Sequence, residues 1–184
     1  MGPRGGLERV SDGGNGEDKV ALTGTSVVDT LIGQVVGERY QVESLLGRGG
    51  FGNVYRAQQL NALDIDRPVA LKVLSAEASA NEEMVLRFQN EARIISKLRH
   101  PNTLKLIDFG RVGDGRLFIA VELLHGRPLD LVLAEDGALS VKRTMRVVRQ
   151  VCESLDEAHE AGIIHRDLKP GNIFVEKVDR KSVV

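Results

Sequence analysis

A glycine cluster set between two strand-patterned stretches constrains most strongly how this chain can fold. Tyr40-Gln41-Val42-Glu43-Ser44-Leu45 alternates with period two, Leu46-Gly47-Arg48-Gly49-Gly50-Phe51-Gly52 interrupts it, and Asn53-Val54-Tyr55-Arg56-Ala57 resumes it. Alternation of this kind marks half-buried strands. The link spells G-x-G-x-x-G, and glycine, lacking Cβ, lets backbone amides approach phosphate oxygens. The dinucleotide-binding use of that pattern needs a helix after the loop and an acidic residue about 20 positions on. Here a strand follows, and counting on reaches Lys72. No G-x-x-x-x-G-K-[ST] occurs, which disfavours a Walker-type NTPase.

Asn61 to Arg67 reads as a polar loop, and Pro68-Val69-Ala70-Leu71-Lys72-Val73-Leu74 as a third strand of an antiparallel meander. A lysine on an apolar strand is costly unless its ammonium finds partners. A long helix follows, from Ser79 or Asn81 to Leu98. Either residue can cap it, and Glu82 and Glu83 suit the positive end of its dipole. Its apolar stripe runs through Met84, Phe88, Ala92, Ile95 and Leu98, and His100-Pro101-Asn102 ends it. Glu91 sits beside that stripe, with Phe88 and Ile95 at i−3 and i+4, and is the helical carboxylate best placed to orient Lys72. Thr103–Asp108 and Leu117–Glu122 pair as a hairpin around Gly113-Asp114-Gly115. A second long helix spans Ser140 to Ala161, with Val141, Met145, Val148, Cys152 and Leu155 on one face and Val147 and Val151 widening it. Gly162 is its stop signal.

Near the C-terminal end stands Ile163-Ile164-His165-Arg166-Asp167-Leu168-Lys169-Pro170-Gly171-Asn172-Ile173-Phe174-Val175. It carries the H-R-D-x-x-x-x-N spacing between two apolar flanks. Together with the glycine loop and Val69-Ala70-Leu71-Lys72, in that order, it resembles the eukaryotic-like (Hanks-type) serine/threonine protein kinases, in bacterial form. The resemblance implies an α+β, protein-kinase-like fold. A tail of residues 1–37 precedes a complete antiparallel β lobe with its regulatory helix (38–124) and the first part of a helical lobe (125–184).

The same resemblance implies ATP and Mg2+ as cofactors and a protein Ser or Thr hydroxyl as acceptor. The loop Leu46, Gly47, Arg48, Gly49, Gly50, Phe51, Gly52 and Asn53 would fold over the phosphates, and Val54 and Ala70 would line the adenine pocket. Lys72 would hold the α- and β-phosphates, with Glu91 orienting it. Val121 would guard the back of the pocket, and Glu122, Leu123 and Leu124 would form the hinge. Asp167 would accept the substrate hydroxyl proton, Lys169 would neutralise the γ-phosphate, and Asn172 would give an oxygen to magnesium, a hard cation. His165 would support the loop by hydrogen bonding.

Asp108-Phe109-Gly110 spells the family's metal-binding triplet but precedes the catalytic loop, so it reads as a strand-end turn. The true triplet is expected beyond Val184, so a product truncated before that motif is expected. The alternative is a non-catalytic nucleotide-binding or interaction fragment. Cys152 reads as a small core residue, and His125 and His159 carry no assigned chemistry.

Composition sets outer bounds. Of 184 residues, 42% are hydrophobic and 28% charged, a soluble globular balance. A net charge of −1 provides no basic field for nucleic acid. The single cysteine excludes an internal disulfide framework. No apolar run reaches the ~20 residues of a membrane span, and the N-terminus shows neither an apolar h-region nor a small-residue cleavage site, so a cytoplasmic setting is expected. Residues before about Gly37 are polar and glycine-rich, which predicts a mobile tail acting as a linker, with a short apolar contact at Val27, Val28, Leu31 and Ile32. The broad apolar face of the Ser140–Ala161 helix predicts self-association.

Overall fold

The computed structural model describes residues 31–60, 67–176 and the backbone of 182–183. The tail before Leu31, with Val27 and Val28, and residues 61–66 of the expected polar loop lie outside the described residues. Six strands form the first sheet: β1 (Val35–Val36), β2 (Tyr40–Gly49), β3 (Gly52–Gln59), β4 (Arg67–Leu74), β5 (Leu106–Arg111) and β6 (Leu117–Glu122). They pair antiparallel in the order β1-β2-β3-β4-β6-β5, so the expected meander is present and the hairpin closes it.

The period-two pattern of β4 sorts its side chains onto two faces. Val69, Leu71 and Val73 are fully buried with Tyr40, Val42, Tyr55 and Phe118 in one core. The opposite face carries Ala70, Lys72 and Leu74, and there Leu74 packs with Ile119, Phe88 and Ala92. Phe88 and Ala92 come from helix α2 (Glu82–Ile95), which covers that face. Asn81 caps α2, accepting from Glu83 N and Met84 N at 3.0 and 3.2 Å. Ser79 instead ends the short helix α1 (Ala76–Ser79), whose cap is Ser75.

The first core reaches back past residue 38. Leu31 and Val36 are buried in the first core, and β1 pairs with β2. Ile32, expected to share that contact, is exposed.

The second lobe contains β7 (Gly126–Pro128), α3 (Leu129–Asp136), α4 (Val141–Glu160), a 3-10 turn (Pro170–Asn172), β8 (Phe174–Glu176) and β9 (Ser182–Val183). β7, β8 and β9 form a small antiparallel sheet. Ser140 caps α4, and Gly162 follows its end at φ +72°, a backbone conformation that favours glycine. The buried side of α4 is Val147, Val151, Ser154 and Ala158. Val141, Met145, Val148 and Cys152 are exposed, so the face expected to lead the packing points outward and Cys152 is not a core residue. Periodicity shows that a helix has an apolar stripe, but the neighbours α3 and β8 select which edge of a wide stripe is covered.

Candidate active site

The register places one row of residues across the first sheet. Gly47 on β2 faces Val54 on β3, Val54 faces Lys72 on β4, and Lys72 faces Ile119 on β6. Facing residues share a sheet face, so Val54, Lys72 and, two pairs along, Ala70 and Val121 lie on the side covered by α2. Lys72 Nζ donates to both carboxylate oxygens of Glu91, at 2.7 and 2.8 Å. The ammonium also lies 5.7 Å from the centre of the Phe88 ring. Lys72 and Glu91 are 38% and 42% exposed. The pair is therefore partly open to solvent, and a ligand could reach the lysine.

Above it, β2 and β3 turn at Gly50-Phe51, with Gly49 facing Gly52. A Cβ on Gly52 would lie 2.0 Å from the Val73 carbonyl oxygen, so the crossing against β4 requires glycine there. A Cβ on Gly47 or Gly50 would meet nothing within 4 Å. Protein packing does not demand glycine at those two positions; the open space beside them fits a group brought close to the backbone. Leu46, Arg48 and Phe51 are exposed. Asn53 donates to the Tyr55 hydroxyl on the opposite face, so only its backbone belongs to the loop's inner side.

At the hinge, the Glu122 carboxylate turns back to accept from Lys105 N at 2.9 Å. Among the described residues, no hydrogen bond uses the backbone of Leu123 or Leu124. Those half-buried N–H and C=O groups are available to a flat, hydrogen-bonding ligand edge.

Helix α4 leads directly into the catalytic-loop segment. Arg166 adopts φ +61°, an uncommon value for a non-glycine residue and one found at functional turns. Asp167 N donates to His165 O at 2.9 Å and to His165 Nδ1 at 3.4 Å. Lys169 Nζ donates to both Asp167 oxygens at 3.0 and 2.9 Å. Asn172 Nδ2 donates to Asp167 O at 2.8 Å and to Asp167 Oδ2 at 3.0 Å. The Lys169 and Asn172 hydrogen bonds hold the Asp167 carboxyl below its ordinary range. The aspartate is therefore ionised at neutral pH. Asn172 directs its amide hydrogens to Asp167 and leaves Oδ1 as a free acceptor, which fits a hard cation.

Asp108-Phe109-Gly110 lies inside β5 and not at a turn, and each residue has a packing task. Asp108 accepts from the buried Tyr40 hydroxyl at 2.8 Å and pairs with Arg39 at 2.9 Å. Burial and the Asp108 bond push the Tyr40 hydroxyl's pKa well up, keeping it a donor. The Phe109 ring lies 6.4 Å from that of Phe88. A Cβ on Gly110 would lie 2.8 Å from the Phe118 ring.

Sequence reasoning missed one connection between the lobes. The Glu157 carboxylate on α4 accepts from Arg99 N and His100 N, just beyond α2. A signal was available: an acid in the last turn of a helix opposes the dipole and needs donors.

This arrangement of sheet, covering helix and catalytic loop is the fold of a protein kinase. Residues 40–183 match the protein kinase domain family. The chain is 45% identical over 152 residues to the serine/threonine-protein kinase pkn3 of Myxococcus xanthus, covering 83% of this chain and 27% of that protein. It is 37% identical over 148 residues to the serine/threonine-protein kinase PknA of Mycobacterium tuberculosis, covering 78% and 34%. The crystal structure of the M. tuberculosis PknI kinase domain superposes with a TM-score of 0.69 at 30% identity, covering 83% of this chain and 59% of that one. The chain belongs to the bacterial Hanks-type serine/threonine protein kinases, a family of ATP-dependent transferases. It spans about a quarter to a third of the length of these curated relatives.

Proposed function

We propose that this chain carries the ATP site and catalytic loop of a kinase that transfers the γ-phosphate of ATP to a Ser or Thr hydroxyl of a protein. The carrying observation is the combination of Lys72 held at both oxygens by Glu91 and an ionised Asp167 on the loop delivered by α4. Glycine-loop amides and Lys72 would bind phosphate oxygens, and Leu123 and Leu124 would present backbone groups to the adenine edge. Val54, Ala70 and Val121 would pack on the base. Asp167 would accept the proton from the attacking hydroxyl while Lys169 transfers its charge from Asp167 to the phosphate. Magnesium, held in part by Asn172 Oδ1, would supply charge compensation on the phosphates.

The test is γ-phosphate incorporation into a protein substrate together with nucleotide affinity. Asp167→Asn should lower the turnover rate by about 10²–10⁴-fold, the range for a lost general base, while nucleotide still binds. Lys72→Met should abolish transfer. Undiminished transfer in either variant would sink these roles. A second reading is nucleotide binding without transfer, since Asp108 in β5 is committed to Arg39 and Tyr40 and supplies no metal ligand. Asn172 then stands as the catalytic site's one identified metal ligand among the described residues. Tight binding with no phosphate incorporated by the unaltered chain would select it.

Two further expectations belong to this reading. No helix among the described residues is long and apolar enough to cross a membrane, and the cytoplasm remains the proposed setting. Self-association is proposed through the exposed side of α4.

A further inference from the structure

Helix α2 carries Glu91, and its C-terminal end leads into the segment that meets the second lobe. Beyond Ile95 the chain makes one more loose turn and then reaches Arg99 and His100. Both of their backbone N–H groups point at one carboxylate: Arg99 N lies 3.0 and 3.1 Å from the two Glu157 oxygens, and His100 N lies 2.9 Å from one of them. Beside this clamp the Thr103 and Ser154 hydroxyls meet at 2.6 Å, and both residues are buried. Ser154 and Glu157 are neighbours on α4 at i, i+3. The same helix ends at Glu160 and feeds His165 and Asp167. One helix thus holds the segment that follows the helix bearing Glu91 and delivers the loop bearing Asp167.

The placement of Glu157 is not what helix stability alone would select. It lies in the last turn of α4, where negative charge is disfavoured by the helix dipole. A neutral residue there would leave α4 equally stable or more so. What the carboxylate gains is a pair of charge-assisted bonds to backbone donors of the other lobe.

We infer that Glu157 is a positioning residue of the phosphoryl-transfer site, holding the segment that follows α2 so that the Lys72–Glu91 pair and Asp167 share one frame. The Thr103–Ser154 bond sets the distance across the same joint. The inference rests on the kinase reading for its functional consequence, but its structural content is separate. Glu157→Gln keeps the shape and replaces one accepting oxygen by an NH2 group that faces backbone donors.

The experiment compares the unaltered chain, Glu157→Gln, and Glu160→Gln as an exposed control on the same turn. Hydrogen exchange of the segment 84–98, measured without nucleotide, reports the hold on α2. Titration with a fluorescent ATP analogue reports the site. The expected result for Glu157→Gln is faster exchange through Glu91 and an analogue Kd raised about 5- to 20-fold, typical of coupling between sites. Its melting temperature should fall modestly, because two backbone donors lose a charged acceptor, and Glu160→Gln should match the unaltered chain. Unchanged exchange over 84–98 in Glu157→Gln overturns the inference, as does a lower melting temperature with unchanged analogue affinity. If the unaltered chain binds no analogue, the kinase reading fails, while the exchange comparison still decides the hold on α2. Should Glu157→Gln not fold, Ser154→Ala carries the same two readings with the carboxylate intact, and the same criteria apply.

Discussion

At the scale of single residues, the informative contacts are those in which a charge is held for use. Asp167 takes hydrogen bonds from Lys169 and Asn172, and these keep its carboxyl below the ordinary range. A hydrogen bond to the charged form favours that form, so removing the donor must raise the pKa. Lys169→Ala is therefore expected to shift the Asp167 carboxyl titration upward, read from its carboxyl carbon by NMR. In an active kinase the acid limb of the pH–rate profile should move up with it. Lys169 and Asp167 are both exposed, so this substitution should leave the melting temperature in place. The Lys72–Glu91 pair is more exposed than its position beside an apolar stripe suggests. Its loss should cost under about 1 kcal/mol of stability, as for other solvent-exposed pairs; its weight falls on the chemistry. Both partners were legible from sequence because their neighbours were apolar. Phe88 beneath the ammonium was read only as core.

At the scale of elements, the glycine loop separates into glycines required by the fold and glycines the fold leaves open. Gly52→Ala places a methyl 2.0 Å from the Val73 carbonyl, and β4 must move. The expected loss is about 1–3 kcal/mol, as for overpacking, measured by urea denaturation. Gly50→Ala meets no neighbour and should stay within about 0.5 kcal/mol of the unaltered chain, as exposed substitutions do. Any effect of Gly50→Ala should appear as weaker nucleotide binding. The pattern of glycines was visible in the sequence. Which of them the protein itself requires depended on how closely β4 passes. The same limit applies to Asp108-Phe109-Gly110: position along the chain excluded the metal triplet, but only pairing with β6 showed a strand where a turn was expected.

At the scale of the whole molecule, the two lobes differ in how completely their apolar surface is covered. The first sheet has a core on each face. In the second lobe α4 buries Val147 and Val151 but exposes Val141, Met145 and Val148, at 81%, 66% and 51%. Exposed apolar surface of this kind favours association. The double substitution Met145→Lys with Val148→Lys should lower the sedimentation coefficient of an associated chain toward the monomer value and leave melting unchanged. An unaltered association state would place the contact elsewhere.

The sequence by itself determined the family and the order of the main elements, and it named the residues proposed to carry the chemistry. These follow from local facts: side-chain period, glycine placement and the spacing of a short polar motif. Only the tertiary structure decided which side of α4 is buried, that Leu31 and Val36 join the first core, and what holds α2 to the second lobe. Those depend on contacts between segments far apart in the chain, such as Glu157 with the amides of Arg99 and His100, and Leu31 and Val36 with the sheet core. A local pattern offers an apolar stripe or a carboxylate; the partner that satisfies it is set by packing.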